Sequence, residues 1–139
     1  LVNLNGELIG INSMKFTAVG VEGMSFSIPV NTVEYVLKNF DLYNRVLRPI
    51  TGMGFEESRE AKIGLPTSVG LTVKKVEVGK AAAEAGILPG DILMAVNGHP
   101  VHSIVDYNEL MKEIGMGGSI QAIIERGGQT MTITIWPDF

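Results

Sequence analysis

The sequence predicts a mainly β, α+β fold: a small antiparallel barrel capped by two helices, preceded by a shorter piece of β-structure with one helix. The composition, 45% hydrophobic with 17 glycines among 139 residues, is typical of a folded chain with many turns. Apolar residues alternate, or run for strand-length stretches, between turn signals. This pattern restarts after a connector at residues 42–49, so we expect two parts, 1–47 and 48–139.

The first turn signal is the dipeptide Asn5-Gly6, which has apolar residues on both sides. Asn-Gly readily supplies the two positive φ angles of a type I′ turn, so it predicts a β-hairpin. We expect the second strand of this hairpin to be buried through Leu8, Ile9 and Ile11.

A strand and a helix follow a weakly patterned loop at 13–23. Apolar residues at Met24, Phe26 and Ile28 alternate with small polar ones, which predicts a half-buried strand that Pro29 ends. The helix is predicted to be capped by Asn31 and to stop near residue 41.

The second part of the chain carries the denser pattern of strands and turns. Glycine at the end of an alanine-rich stretch is typical of a helix end. Asn-Gly after an apolar run is typical of a tight turn. The predicted elements are a strand over 71–78, a helix over 80–85, a strand over 92–96, a helix over 104–114 capped by Ser103, and a closing hairpin of 120–124 with 131–135.

Charge and composition exclude several classes of function. The net charge is −4, and the basic residues are scattered, so no nucleic-acid surface is predicted. No apolar run approaches the roughly 18 residues of a membrane span, and residues 1–5 do not resemble a secretion signal. The absence of cysteine excludes disulfides and thiolate metal sites. His99 and His102 lie near an exposed turn without a third ligand, so we expect no metal and no cofactor.

Residues 78–101 carry a specific motif, A-x-x-A-G-hydrophobic-x-x-G-D-hydrophobic-I/L-x-x-hydrophobic-N-G. This stretch resembles the signature of PDZ domains in bacterial-type proteases, and the resemblance extends over about 48–139. It implies a PDZ-type barrel that binds the C-terminal ends of peptides.

The beginning of the chain carries a second resemblance. The segments L-V-N-x-x-G-E-L-I-G-I-N and G-M-S-F-S-I-P-V-N resemble the part of HtrA/Deg-type serine proteases that follows their nucleophile motif, G-N-S-G-G-P. Residues 1–47 would then be the end of a trypsin-like protease domain with its connector. The resemblance implies a catalytic triad upstream of Leu1, and hence a chain that is inactive alone. Ser13, Ser25 and Ser27 are not predicted nucleophiles, because both histidines lie near the PDZ signature turn.

The resemblance places the peptide site at a hydrophobic-Gly-hydrophobic triplet, Met53-Gly54-Phe55. Glycine lets successive backbone N–H groups approach the terminal carboxylate of a ligand. The ligand would pair with the strand that begins there, opposite the helix 104–114. The predicted site residues are Thr51, Gly52, Met53, Gly54, Phe55, Asn108, Met111 and Lys112.

The function implied by the resemblance is regulation of an extracytoplasmic serine endopeptidase of protein quality control. Its partners would be C-termini of unfolded or mislocalised proteins, the protease domain of the same protein, and further copies of it. Residues 1–31 would also present unpaired strand edges, so we expect the chain to associate. Alternatives are a non-catalytic PDZ scaffold or adaptor, a degenerate protease homologue, and a PDZ-bearing membrane metalloprotease, although residues 1–31 lack the H-E-x-x-H helix of the last.

Overall fold

The computed structural model describes residues 1–15 and 25–139, which form two compact units, Leu1–Leu47 and Arg48–Phe139. Most of the predicted loop at 13–23, and Met24 at the start of the predicted strand, lie outside the described residues. Each unit has its own strands and helices, so each is described by itself.

The described part of the first unit contains two antiparallel strands and a helix. The elements are β1 (Gly10–Lys15), β2 (Ser25–Pro29) and α1 (Val30–Tyr43). The backbone N–H of Leu47 donates to the Asn39 side chain, and its carbonyl accepts from the Tyr35 hydroxyl. These bonds hold the connector against α1.

The turn at Asn5-Gly6 forms, but not as type I′. Gly6 has a φ of 80°, whereas Asn5 is not among the residues with positive φ. The Asn3 side chain instead accepts hydrogen bonds from the N–H groups of Asn5 and Glu7, at 2.9 and 3.0 Å. The type I′ prediction is therefore wrong, because a side-chain acceptor two residues earlier sets the turn.

Burial and capping in the first unit also differ from expectation. Leu8, Ile9 and Ile11 are 44–50% exposed, so the prediction of a buried strand is wrong within this chain. Asn31 lies inside the first turn of α1 and not at its cap, which is Pro29 with a φ of −58°. Proline fixes a helix-compatible φ without a side-chain hydrogen bond.

The second unit contains a six-stranded antiparallel sheet of order β3-β4-β5-β7-β8, with the short β6 paired to β5. The strands are β3 (Met53–Glu56), β4 (Leu71–Val76), β5 (Ile92–Val96), β6 (His99–Pro100), β7 (Ile120–Arg126) and β8 (Gln129–Ile135). The helices are α2 (Arg59–Lys62), α3 (Ala81–Glu84) and α4 (Ile104–Lys112). The predicted fold class is confirmed, with α2 as a short helix that the charged residues 56–62 did not reveal.

The core of the second unit lies between the sheet and its helices. Leu71, Leu93 and Ile124 are fully buried on the strands, and α4 contributes Tyr107 and Met111. A fully buried aliphatic side chain stabilises the fold by about 1.5–3 kcal/mol. Alternation along β7 puts Ile120, Ala122 and Ile124 into this core, as the sequence predicted.

An ion pair between the buried Asp91 and the partly exposed Arg126 ties the turn before β5 to the end of β7. Asp91 is 1% exposed and accepts from Arg126 Nε and Nη2, both at 2.7 Å, and from the Leu88 N–H at 2.8 Å. Arg126 also donates to the Gly86 carbonyl. The hydrogen bond from Arg126 holds the pKa of Asp91 below its usual range, against the opposing effect of burial.

Candidate functional site

Strand β3 lies at one end of the sheet order and, among the described strands, pairs only with β4. In an antiparallel edge strand, alternate residues direct their N–H and C=O groups away from the partner. Within residues 1–15 and 25–139, no strand pairs with this outer edge. The edge therefore offers backbone donors and acceptors to an added strand.

The loop that leads into β3 is fixed through its carbonyl groups. The Thr51 carbonyl accepts from the Ala82 N–H, and the Gly52 carbonyl from the Glu77 N–H, both at 2.9 Å. Among the described residues, the N–H groups of Thr51 and Gly52 have no acceptor. This arrangement leaves donors at the start of the edge, where an anion would be stabilised.

Gly52 is required by this loop in two ways. Its φ of +78° is a conformation that L-residues rarely adopt, and a Cβ placed there would lie 2.4 Å from the Cβ of Lys80. At Gly54 φ is ordinary, and a Cβ there would lie 3.4 Å from the Cβ of Lys75, the residue opposite Gly54 on β4. Gly52 therefore sets the shape of the loop, whereas Gly54 is less constrained by space.

Tyr107 joins the loop, the edge strand and helix α4. Its hydroxyl lies 2.8 Å from Thr51 Oγ1, and its ring meets that of Phe55 edge-on, with centroids 4.7 Å apart. Burial raises the pKa of Tyr107, against a smaller opposing effect of the Thr51 hydrogen bond, so the hydroxyl stays neutral. Tyr107 was not among the predicted site residues. Its spacing of four residues from Met111 could have placed it on the buried face of α4.

The predicted helix residues differ in their surroundings. Met111 is 6% exposed and belongs to the core, whereas Asn108 is exposed. Lys112 is half-buried, and its Nζ lies 2.5 Å from Glu109 Oε1. Of these three, Met111 lies beneath the surface of α4, and Asn108 and Lys112 lie at its solvent side.

A cavity of about 410 Å³ opens beside the loop, lined by residues 48–54 with Lys75, Glu77 and Tyr107. It contains two cationic side chains, Arg48 and Lys75, of which Lys75 pairs with Glu77 at 3.3 Å. Arg48 makes no ion pair with another described residue. Arg48 was not among the predicted site residues; it adds positive charge to the cavity that the loop amides also line.

A second hollow, of about 650 Å³, lies between residues 57–67 and the start of α4. Glu57 Oε1 accepts from the Ile104 N–H at 2.7 Å, and thus links the residue after β3 to the first residue of the helix. The helix also has a complete capping box formed by Ser103 and Asp106. Burial would raise the pKa of Asp106, but hydrogen bonds from His102 and Ser103 outweigh it and lower the pKa.

The histidines and serines singled out by the sequence are dispersed. His99 is exposed on β6, and His102 Nδ1 lies 3.4 Å from the Val69 carbonyl. Ser27 donates to Asn12 Oδ1 at 2.9 Å. In the described part of the chain, no three metal-ligating side chains form a group, and no helix has the length and apolar character of a membrane span.

Comparison with protein families matches residues 72–120 to the PDZ domain. The chain is 31% identical to the serine protease Do-like HtrB of Bacillus subtilis over 96% of its own length, and 33% identical to the periplasmic serine endoprotease DegP of Salmonella typhimurium over 97%. It spans 31% and 29% of those two proteins, so it corresponds to about a third of their length.

Solved structures give the same result. The chain resembles the HtrA-type protease AlgW with a tripeptide, with a TM-score of 0.79 and 26% identity, over 98% of this chain and 46% of that one. It also resembles the serine endoprotease from Yersinia pestis, with a TM-score of 0.71 and 32% identity, over 98% of this chain and 44% of that one. Both likenesses extend across the two units described above.

Proposed function

Because this chain belongs to the HtrA-type serine protease family and contains its PDZ domain, we propose that residues 48–139 bind peptide C-termini and thereby regulate a serine endopeptidase. Residues 1–47 are the end of the trypsin-like protease domain and its connector. The division between two compact units at residues 47 and 48 supports this assignment.

The observation that carries the proposal is the free edge of β3, which begins at a loop with unpaired amides. The terminal carboxylate of the ligand accepts hydrogen bonds from the loop that leads to Gly54, where the N–H groups of Thr51 and Gly52 have no acceptor among the described residues, and Arg48 adds favourable charge. The ligand extends as an antiparallel strand along β3. Backbone pairing of this kind gives affinity without depending on most of the ligand's side chains.

Selectivity comes from the last ligand side chain, which lies between β3 and α4. Met53 and Phe55 are half-buried and line this space from the strand side, and Met111 closes it from below. Asn108 and Lys112 lie at the rim, while Thr51 and Gly52 shape the loop. A flexible, apolar site of this kind accepts a C-terminal Val, Leu, Ile or Phe.

In the whole protein, the ligands are exposed C-termini of unfolded or mislocalised proteins, and the compartment is extracytoplasmic. The likeness to a periplasmic endoprotease supports this location. The ligand activates the protease only if it binds the active state more tightly than the inactive one. Further copies of the chain associate through the first unit, where Leu37, Phe40 and Ile11 are 44–56% exposed.

The test is calorimetric titration of the chain with a peptide that ends in a free carboxylate, compared with the same peptide amidated. We expect a micromolar Kd for the acid, roughly 7–9 kcal/mol of binding free energy. Charge-assisted hydrogen bonds contribute about 1.5–3 kcal/mol, so the amide should bind at least about tenfold more weakly. Equal affinity for acid and amide would exclude a carboxylate site at this loop.

A further inference from the structure

The Glu57 side chain connects the two walls of the proposed groove. Glu57 directly follows β3, and its Oε1 accepts from the backbone N–H of Ile104, the first residue of α4, at 2.7 Å. We propose that this Glu57 bridge closes the groove after four ligand residues and so sets the length of peptide that the domain reads. The inference rests on the proposed peptide-binding function.

The length of β3 limits how many ligand residues can pair with it. The strand has four residues, Met53–Glu56. A ligand with its carboxylate at the loop amides that precede Met53 runs antiparallel to β3, and its last four residues lie opposite Met53–Glu56, about one strand residue each. The next residue towards the ligand's N-terminus meets the Glu57 bridge. A longer peptide therefore pairs beyond Glu56 only after the bridge opens.

The hollow of about 650 Å³ lies on the far side of the bridge, with Glu57 in its wall. Its lining includes Leu65 and Val105, which are 54% and 66% exposed, and Lys62. These side chains offer apolar contact to ligand residues upstream of the fourth. The bridge is a hydrogen bond to an ionised acceptor, which is stronger than a neutral one and opposes entry.

Helix α4 does not depend on Glu57 for its cap. The Ser103 hydroxyl accepts from the Asp106 N–H at 3.0 Å, and the Asp106 carboxylate accepts from the Ser103 N–H at 2.9 Å. Removal of the Glu57 carboxylate therefore leaves the helix capped. A Glu57 variant can then be compared with the wild type for binding alone.

The experiment measures Kd for two acetylated peptides by calorimetry. One is a tetrapeptide that ends in valine, and the other is an octapeptide that extends it by Ser-Leu-Ser-Leu at the N-terminal side. With the wild-type chain we expect the two Kd values to agree within about twofold. With Glu57→Ala the octapeptide should bind about tenfold more tightly than the tetrapeptide, equivalent to about 1.4 kcal/mol of new contact.

Two further variants separate the bridge from general effects. Glu57→Gln keeps an acceptor oxygen, so its ratio of tetrapeptide Kd to octapeptide Kd should stay near that of the wild type. Glu60→Ala removes an exposed carboxylate from α2 and should also leave the ratio unchanged. Equal ratios for the wild type and Glu57→Ala would overturn the inference. Absence of tetrapeptide binding to the wild type would instead refute the proposed function.

Discussion

Replacement of Tyr107 by Phe tests how the loop is held against α4. The change removes one oxygen and keeps the ring that contacts Phe55 at 4.7 Å. It leaves the Thr51 hydroxyl, in a residue only 5% exposed, without its partner. A lost hydrogen bond with one buried group left unsatisfied costs about 1–3 kcal/mol, so we expect the free energy of unfolding to fall by about 2 kcal/mol.

The partner variant, Thr51→Val, removes the other end of the same hydrogen bond. Each single variant leaves an orphaned polar group, whereas the double variant leaves none. The two effects should therefore not add: a double-mutant cycle should give a coupling of about 1 kcal/mol. Urea unfolding of the four proteins supplies the values.

The same double-mutant cycle, measured as the Kd of a peptide with a free C-terminus, should also show coupling. We expect Tyr107→Phe to raise Kd about threefold to tenfold, because the donors at the start of β3 are then held less rigidly. Additive effects on unfolding, or an unchanged Kd in a variant destabilised as expected, would refute the view that this hydrogen bond positions the loop.

Two other predictions concern the second unit. Gly52→Ala should lower the free energy of unfolding by at least about 2 kcal/mol, through backbone strain and the 2.4 Å approach to Lys80; Gly54→Ala, measured in the same way, should change it by less than about 1 kcal/mol. The stability that Asp91 contributes should be present above its unfolded pKa, about 3.9, because its folded pKa is lower. The free energy of unfolding should fall as the pH drops from about 4 through the folded pKa of Asp91, and it should fall less in the Asp91→Asn variant. An equal fall in the wild type and in Asp91→Asn would assign the pH dependence to other carboxyl groups.

The second unit was predicted well because its signals are local. Asn97 and Gly98 both have positive φ, at 49° and 82°, as the Asn-Gly turn predicted. Ser103 caps α4 as predicted, in a capping box with Asp106, and the helix ends within two residues of the predicted position, at Lys112. In each case residues close in sequence supply both partners of the contact.

The first unit and the rest of the site depended on contacts that a local pattern does not contain. Asn5-Gly6 suggested one turn, but the Asn3 side chain produced another. Tyr107 was missed because its partner Thr51 is 56 residues away, and Glu57 because its partner Ile104 is 47 residues away. Such pairs are set by how the sheet and helices pack, which the order of apolar residues does not specify.

The backbone pair between Ile50 and Asp138 has a mechanical consequence. The two residues exchange hydrogen bonds of 2.8 and 3.1 Å, three positions before Met53. A force applied to the chain at Arg48 must therefore break this pair of hydrogen bonds before it reaches the N–H donors of the loop.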